Sequence, residues 1–491
     1  MISRIALATT AALALTAAAH AQRTDLTLGM VLEPPHLDPT AGAAAAIDEV
    51  LYANVFEGLT RIGHDGAVHP ALAQSWTISD NGLDYTFTLR QGVQFHDGTT
   101  FEASDVVFTL DRARAEDSTN AQTALFAPIE TVEALDDLTV RVTLSRPAGD
   151  FLYNLGWGDA VIVAPESADT NKENPVGTGP FRFVNWQKGA AVNLARTDAY
   201  WGEAPALETV QIRFIPDPAA ASAALLAGDV HAFPNLPAPE SLPQFQADPR
   251  FEVAVGSTEG ETVLSTNNQR PPFDDIRVRR AIAHAIDRQA IIDGAMFGFG
   301  TPIGSHFAPH HPAYVDLTDT YRHDPDMARA LLAEAGFADG ISATLKLPPP
   351  SYARRSGEVI AAQLRAVGID LQIIPVEWAQ WLEQVFTNAD YDLSIVSHTE
   401  PNDIGIYARE DYYFGYDNAE FDAVIDQLSV TAEEADRYAL FRKAQEILAR
   451  DAVNGFLFQL PKNGVWDARL EGLWENSPVQ ANDVTKVRWV E

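Results

Sequence analysis

Between residues 343 and 397 the chain reads ATLKLPPPSYARRSGEVIAAQLRAVGIDLQIIPVEWAQWLEQVFTNADYDLSIVS, and its hydrophobic period keeps changing. Ala343–Leu347 reads as a strand that runs into Pro348-Pro349-Pro350. Ile360, Leu364 and Val367 then recur at i, i+4 and i+7, the spacing of one helix face, and Gly368 supplies the stop. Ile369, Leu371 and Ile373 alternate with Asp370 and Gln372, which predicts the next strand. A second helix around Trp378–Thr387 leads to a third strand, Tyr391–Ser397. Strand, helix, strand, helix, strand predicts an open α/β sheet with parallel strands. Ligands of such sheets sit beyond the carboxyl ends of the strands, near helix N-termini. The positions just after Leu347, Ile374 and Ser397 are therefore candidates on geometry alone.

Outward from this run the pattern changes. Leu26–Leu28, Tyr85–Leu89 and Val140–Leu144 alternate at period two, and Ser79-Asp80-Asn81-Gly82 is a hairpin turn. A chain of 491 residues predicts two or three domains. Residues 1–21 carry Arg4, an apolar stretch Ile5–Ala18 and the small-x-small site Ala19-His20-Ala21, so a cleaved signal peptide is expected, with the mature chain starting near Gln22. The stretch is too short and alanine-rich to span a membrane. The sequence has no cysteine to accept a lipid, form a disulfide or bind a metal as thiolate. A soluble periplasmic protein, not lipid-anchored, is the expectation.

The chain has 34 basic and 68 acidic residues, a net charge of −34, which argues against nucleic acid and anionic membranes as partners. Enzyme signatures are missing. There is no G-x-S-x-G or H-E-x-x-H, and Gly177-Thr178-Gly179 is followed by Pro180 without the lysine of a phosphate loop. His306, His310 and His311 lie in a glycine- and proline-rich stretch with no carboxylate at ligand spacing, so they read as loop histidines; neither metal nor cofactor is expected.

Two long segments carry a resemblance: PALAQSWTISDNGLDYTFTLRQGVQFHDGTTFEASDVVFTL at 70–110, and NNQRPPFDDIRVRRAIAHAIDRQAIIDGAMFGF at 267–299. With PVGTGPF at Pro175–Phe181, AYWG at Ala199–Gly202 and RHDPDMARALLAEAGF at Arg322–Phe337, the chain resembles the family 5 extracytoplasmic solute-binding proteins of ABC importers, peptide type. The resemblance implies an α/β, two-lobed periplasmic binding protein fold of type II, with an extra subdomain in the first lobe. It puts lobe I at 22–266 plus 467–491, with the inserted subdomain at roughly 56–180, and lobe II at 267–466. The crossings would fall near Thr266–Gln269, where Asn267 and Asn268 are candidate ligand-binding residues, and near Trp466. It further implies a monomer that captures a small solute and delivers it to the permease subunits of an ABC transporter. A peptide or peptide-like zwitterion is the first expectation. An opine, other amino-acid conjugate or oligosaccharide is the second, and a secreted hydrolase a distant third.

The site expectations combine this likeness with chemistry. In the dipeptide-binding branch an arginine of a similar Ala-Arg-Arg motif binds the ligand carboxylate, which points to Arg354 or Arg355. Guanidinium offers a planar fork to a carboxylate, and neighbouring residues on a helix point about 100° apart, so one of the two should face the cleft. The same branch has Trp-Thr and a short acidic loop, one aspartate of which takes the peptide amino terminus. Here His398 stands in place of the tryptophan and the loop is shorter, leaving Glu400 and Asp403 as candidate anions. Trp378, Trp381, Tyr407, Tyr412 and Tyr413 are aromatic candidates for ligand stacking or for core.

Overall fold

A computed structural model describes residues 23–490 apart from Ala43, Pro401 and Ala432. The expected signal peptide at 1–21 lies outside the described residues. The strands and helices expected between 343 and 397 form as Ile341–Leu347, Ser351–Arg365, Ile369–Pro375, Trp378–Trp381 and Leu393–His398, the fourth continuing as a π-helical turn over Leu382–Thr387. Ile341–Leu347 pairs in parallel with Ile369–Pro375 and with Leu393–His398, as crossovers through helices require. Ile360 and Leu364 are fully buried, and Gly368 takes a φ of +99°, open to glycine without strain.

These strands form one end of an eleven-stranded mixed sheet. Its order runs from Ile369–Pro375 through Ile341–Leu347 and Leu393–His398 to Phe251–Thr266 and Gly455–Asp467, then Ala232–Phe233, Asp25–Met30, Thr209–Phe214, Ala191–Arg196 and Phe181–Gln187, with Thr301–Pro302 pairing to Gly455–Asp467 off this path. Two long antiparallel strands, Phe251–Thr266 and Gly455–Asp467, stand at its middle. Their register is regular up to Ser257↔Pro461, breaks, and resumes at Glu261↔Gln459. The hydrophobic cores divide along the same line. Residues 26 to 245, joined by 465 to 489, build three clusters; residues 263 to 458 build the other two.

A separate antiparallel sheet, in the order Ala73–Ile78, Asp84–Leu89, Thr139–Leu144 and Ile129–Asp136, makes the early hairpin region. Its first turn closes by Gly82 N–H to Ser79 C=O, with Gly82 at a φ of +71°. The sequence stretches shared with the family also acquire a structural reason. The Thr178 and Tyr200 hydroxyls and the Trp201 indole N–H all donate to the buried Glu57 carboxylate, at 2.8–2.9 Å. Gly177 and Gly179 press on the Asn54–Val55 backbone, where a Cβ would overlap it. PVGTGPF and AYWG are thus scaffold, fastening Glu57.

Candidate functional site

The site grows from the carboxyl end of Leu393–His398. His398 faces Glu261 across the antiparallel pair, so both side chains project from the same side of the sheet. The chain then turns through Glu400 to Asp403, whose Oδ1 accepts from His306 Nε2 at 2.7 Å; Oδ2 lies 3.8 Å from His398 Nδ1. Glu261, His306 and Asp403 bring one ligand atom each within 4.8 Å of one another, and so do His398, Glu400 and Asp403. His306 was expected to be a loop histidine without a carboxylate. It is 1% exposed and bonded to Asp403, because folding brings the 403 loop over it.

A chain of hydrogen bonds fixes this corner. Asn454 Oδ1 accepts from Thr266 N–H, which orients its Nδ2 toward the Tyr407 hydroxyl at 3.1 Å. The Tyr407 hydroxyl also lies 3.1 Å from His306 Nδ1. The ionised Asp403 carboxylate accepts only, which assigns a His306 proton to Nε2, the nitrogen that meets it. Tyr407 is therefore a buried part of the support. His398 Nε2 lies 3.1 Å from the Tyr413 hydroxyl, and burial pushes its imidazole down to about 4, so it is neutral at pH 7.

Carboxylates gather on both sides of this corner. Burial and the neighbouring Asp403 raise Glu261 well above the usual range, and burial followed by Asp403 raises Glu400. From the other group of cores come Asp48 and Asp159. Burial raises both, each through a further carboxylate: Asp159 acts on Asp48, and Glu400 acts on Asp159, which is pushed up to about 7. The Gln480 amide donates to Thr399 Oγ1 at 2.9 Å and holds the acidic loop against that side.

The arginines sit at the neighbouring strand end. The Ser397 N–H donates to the Tyr352 hydroxyl at 3.1 Å, which ties the start of Ser351–Arg365 to the end of Leu393–His398. Arg354 donates to the Pro348 and Val376 carbonyls at two neighbouring strand ends, and lies 3.7 Å from Glu377. Arg355 donates to both oxygens of Glu240, at 3.1 and 3.3 Å. Trp381 is core, its indole N–H on Ser394, while Trp378 is half-buried and edge-on to it. Tyr412 and Tyr413 are buried too. Asn267 donates to the Ala389 and Tyr391 carbonyls, and Asn268 to those of Thr266, Phe414 and Val453. These amides fasten backbone segments together.

Against known proteins, residues 67–404 match the model of the bacterial extracellular solute-binding proteins, family 5. The chain belongs to this family. Among its family 5 relatives, heme-binding protein A of Haemophilus influenzae is 31% identical over 433 residues, 78% of each chain. The dipeptide-binding protein of Escherichia coli is 32% identical over 353 residues, 65% of each. The periplasmic binding protein DppA of Helicobacter pylori, solved with the peptide STSA, superposes with a TM-score of 0.86 at 26% identity, covering 95% of this chain and 98% of that one. The two-lobed family 5 fold expected from the sequence is the fold observed. No helix among the described residues is long and apolar enough to cross a membrane.

Proposed function

We propose that this receptor takes up a peptide or peptide-like zwitterion between two lobes and presents it to the permease of an ABC transporter. One observation carries the reading. The acidic loop Glu400–Asp403 and the arginine-bearing helix start lie at the ends of neighbouring strands, tied by the Ser397–Tyr352 bond, so anion and cation are carried at one end of the sheet. Glu400 and Asp403 would take the amine. Arg355 is engaged by Glu240, so we assign the carboxylate to Arg354, whose side chain is 42% exposed. The dipeptide-binding and peptide-bound relatives support a peptide class.

We also place the lobe boundary at the register break, between Ser257 and Glu261 and between Gln459 and Pro461, earlier than Thr266–Gln269 and Trp466. On this division Arg355–Glu240, Arg437–Asp150 and Arg146 to the Ser429 carbonyl all join one lobe to the other, as in a closed form. Export with cleavage near Gln22, release without a lipid anchor, and action as a monomer complete the proposal. Thermal-shift titration with di- to octapeptides tests it. A ligand at 100 times its Kd adds about 2.7 kcal/mol of apparent stability. No shift with any peptide would end the reading.

A further inference from the structure

Glu261, Glu400 and Asp403 gather around His306 and His398, the Asp48 carboxylate lies against Gly158 beside Asp159, and Glu400 acts on Asp159 from the other group of cores; among the described residues no arginine or lysine pairs with any of the five. Asp48 and Asp159 come from one side; Glu261, Glu400 and Asp403 from the other. Asp48, Asp159 and Glu261 are 8%, 6% and 5% exposed, and one oxygen of each is fully buried without a hydrogen-bond donor. A buried carboxyl oxygen lacking a donor is unfavourable, and a cation that displaces the held protons brings donors to all three.

The hydrogen-bond network says which kind of cation fits. His306 Nε2 carries a proton and gives it to Asp403, so its lone pair is not offered to a metal ion. Coordination by His306 would break its Nε2–H bond to Asp403; a metal ion would have to turn instead to His398, Glu400 and Asp403. An ammonium brings its own protons to the free carboxylate oxygens and leaves that bond intact. We infer that the cleft selects solutes with two positive charges, one ammonium against Asp403 and Glu261 and a second held between Glu400 on one lobe and Asp159 and Asp48 on the other. This rests on the peptide-receptor reading, and a peptide with an amino-terminal lysine meets the requirement.

Calorimetric titration with Lys-Ala, norleucyl-Ala and putrescine tests it. Lys-Ala should bind at least about tenfold more tightly than its uncharged counterpart, the scale of a desolvated charge pair. Asp159→Asn, which keeps the side-chain shape, should narrow that ratio, and Glu400→Gln should narrow it by the same route if Asp159→Asn folds poorly. Equal affinity of the two peptides for the wild-type protein overturns the inference and leaves a peptide receptor standing. Binding of putrescine but of neither peptide supports the two-charge cleft and overturns the peptide reading. Binding of none of the three overturns both. Competition between zinc or nickel ions alone and Lys-Ala replaces the inference with a metal site.

Discussion

The ion pair of Arg355 with Glu240 makes a quantitative test of how the arginine pair works. Both side chains keep about a third of their surface in water, 34% and 36%, so the attraction is screened and contributes about 0.2–1 kcal/mol despite two good hydrogen bonds. The Arg355 guanidinium also lies 5.1 Å from the centre of the Phe297 ring. That contact is internal to the proposed second lobe, steadies the guanidinium, and cancels from the balance between open and closed forms. Arg355→Ala, Glu240→Ala and the double variant should therefore weaken peptide affinity alike, by at most about fivefold. The double variant should cost no more than either single one, since one interaction is lost in all three. If Arg355 instead grips the ligand carboxylate, Arg355→Ala costs about 2–5 kcal/mol and Glu240→Ala frees the guanidinium and tightens binding. Calorimetry on the three variants, with scattering to follow compactness, separates the cases. A strong Arg355→Ala effect beside a gain in Glu240→Ala would refute the latch.

Two more predictions follow from the acidic corner. Burial and Glu400 push Asp159 up to about 7; where closure supplies that burial, ligand-free closure is favoured at low pH and loses that advantage as pH rises through about 7. Asp48, Glu49, Glu261 and Glu400 shift the same way, with Lys462 opposing at Glu49. Affinity for Lys-Ala should then climb between pH 4 and 7 with protons released, seen as a dependence of binding heat on buffer ionisation; uptake of protons would contradict it. Gly158→Ala would drive a Cβ into the buried Asp48 carboxylate, and urea unfolding should show a loss of about 1–3 kcal/mol.

The parallel strands from 341 to 398 were legible because each element writes its own period and stop, and helical crossovers permit one sense of pairing. The acidic loop could be located the same way, since it follows a strand end. What sequence spacing could not give is who meets that loop. His306 is 97 residues from Asp403, and Asp159 and Asp48 come from the other group of cores. One signal was available: Glu259 and Glu261 interrupt a strand otherwise closing into the apolar Val263-Leu264, and a charge there needs a reason. The sequence makes the asparagines ligand candidates and leaves the tyrosines between ligand stacking and core, because polarity and ring area look alike in core and cleft. Only backbone partners tell them apart.

The break in the central ladder has a mechanical meaning. Gly260 sits within it with no room for a Cβ against Ser397, Thr258 and Leu460, so this rung is thin and closely packed at once. Glu259, bonded to His310 at 2.5 Å, and Glu261 flank that glycine. On the proposed lobe boundary, the groups proposed to register charge are mounted on the bending element itself, and a cation drawn to Glu261 would exert torque there. Turning the receptor into a sensor would thus mean leaving Thr258–Glu261 untouched and placing the reporter at a contact that merely follows the motion, such as Gln480 and Thr399.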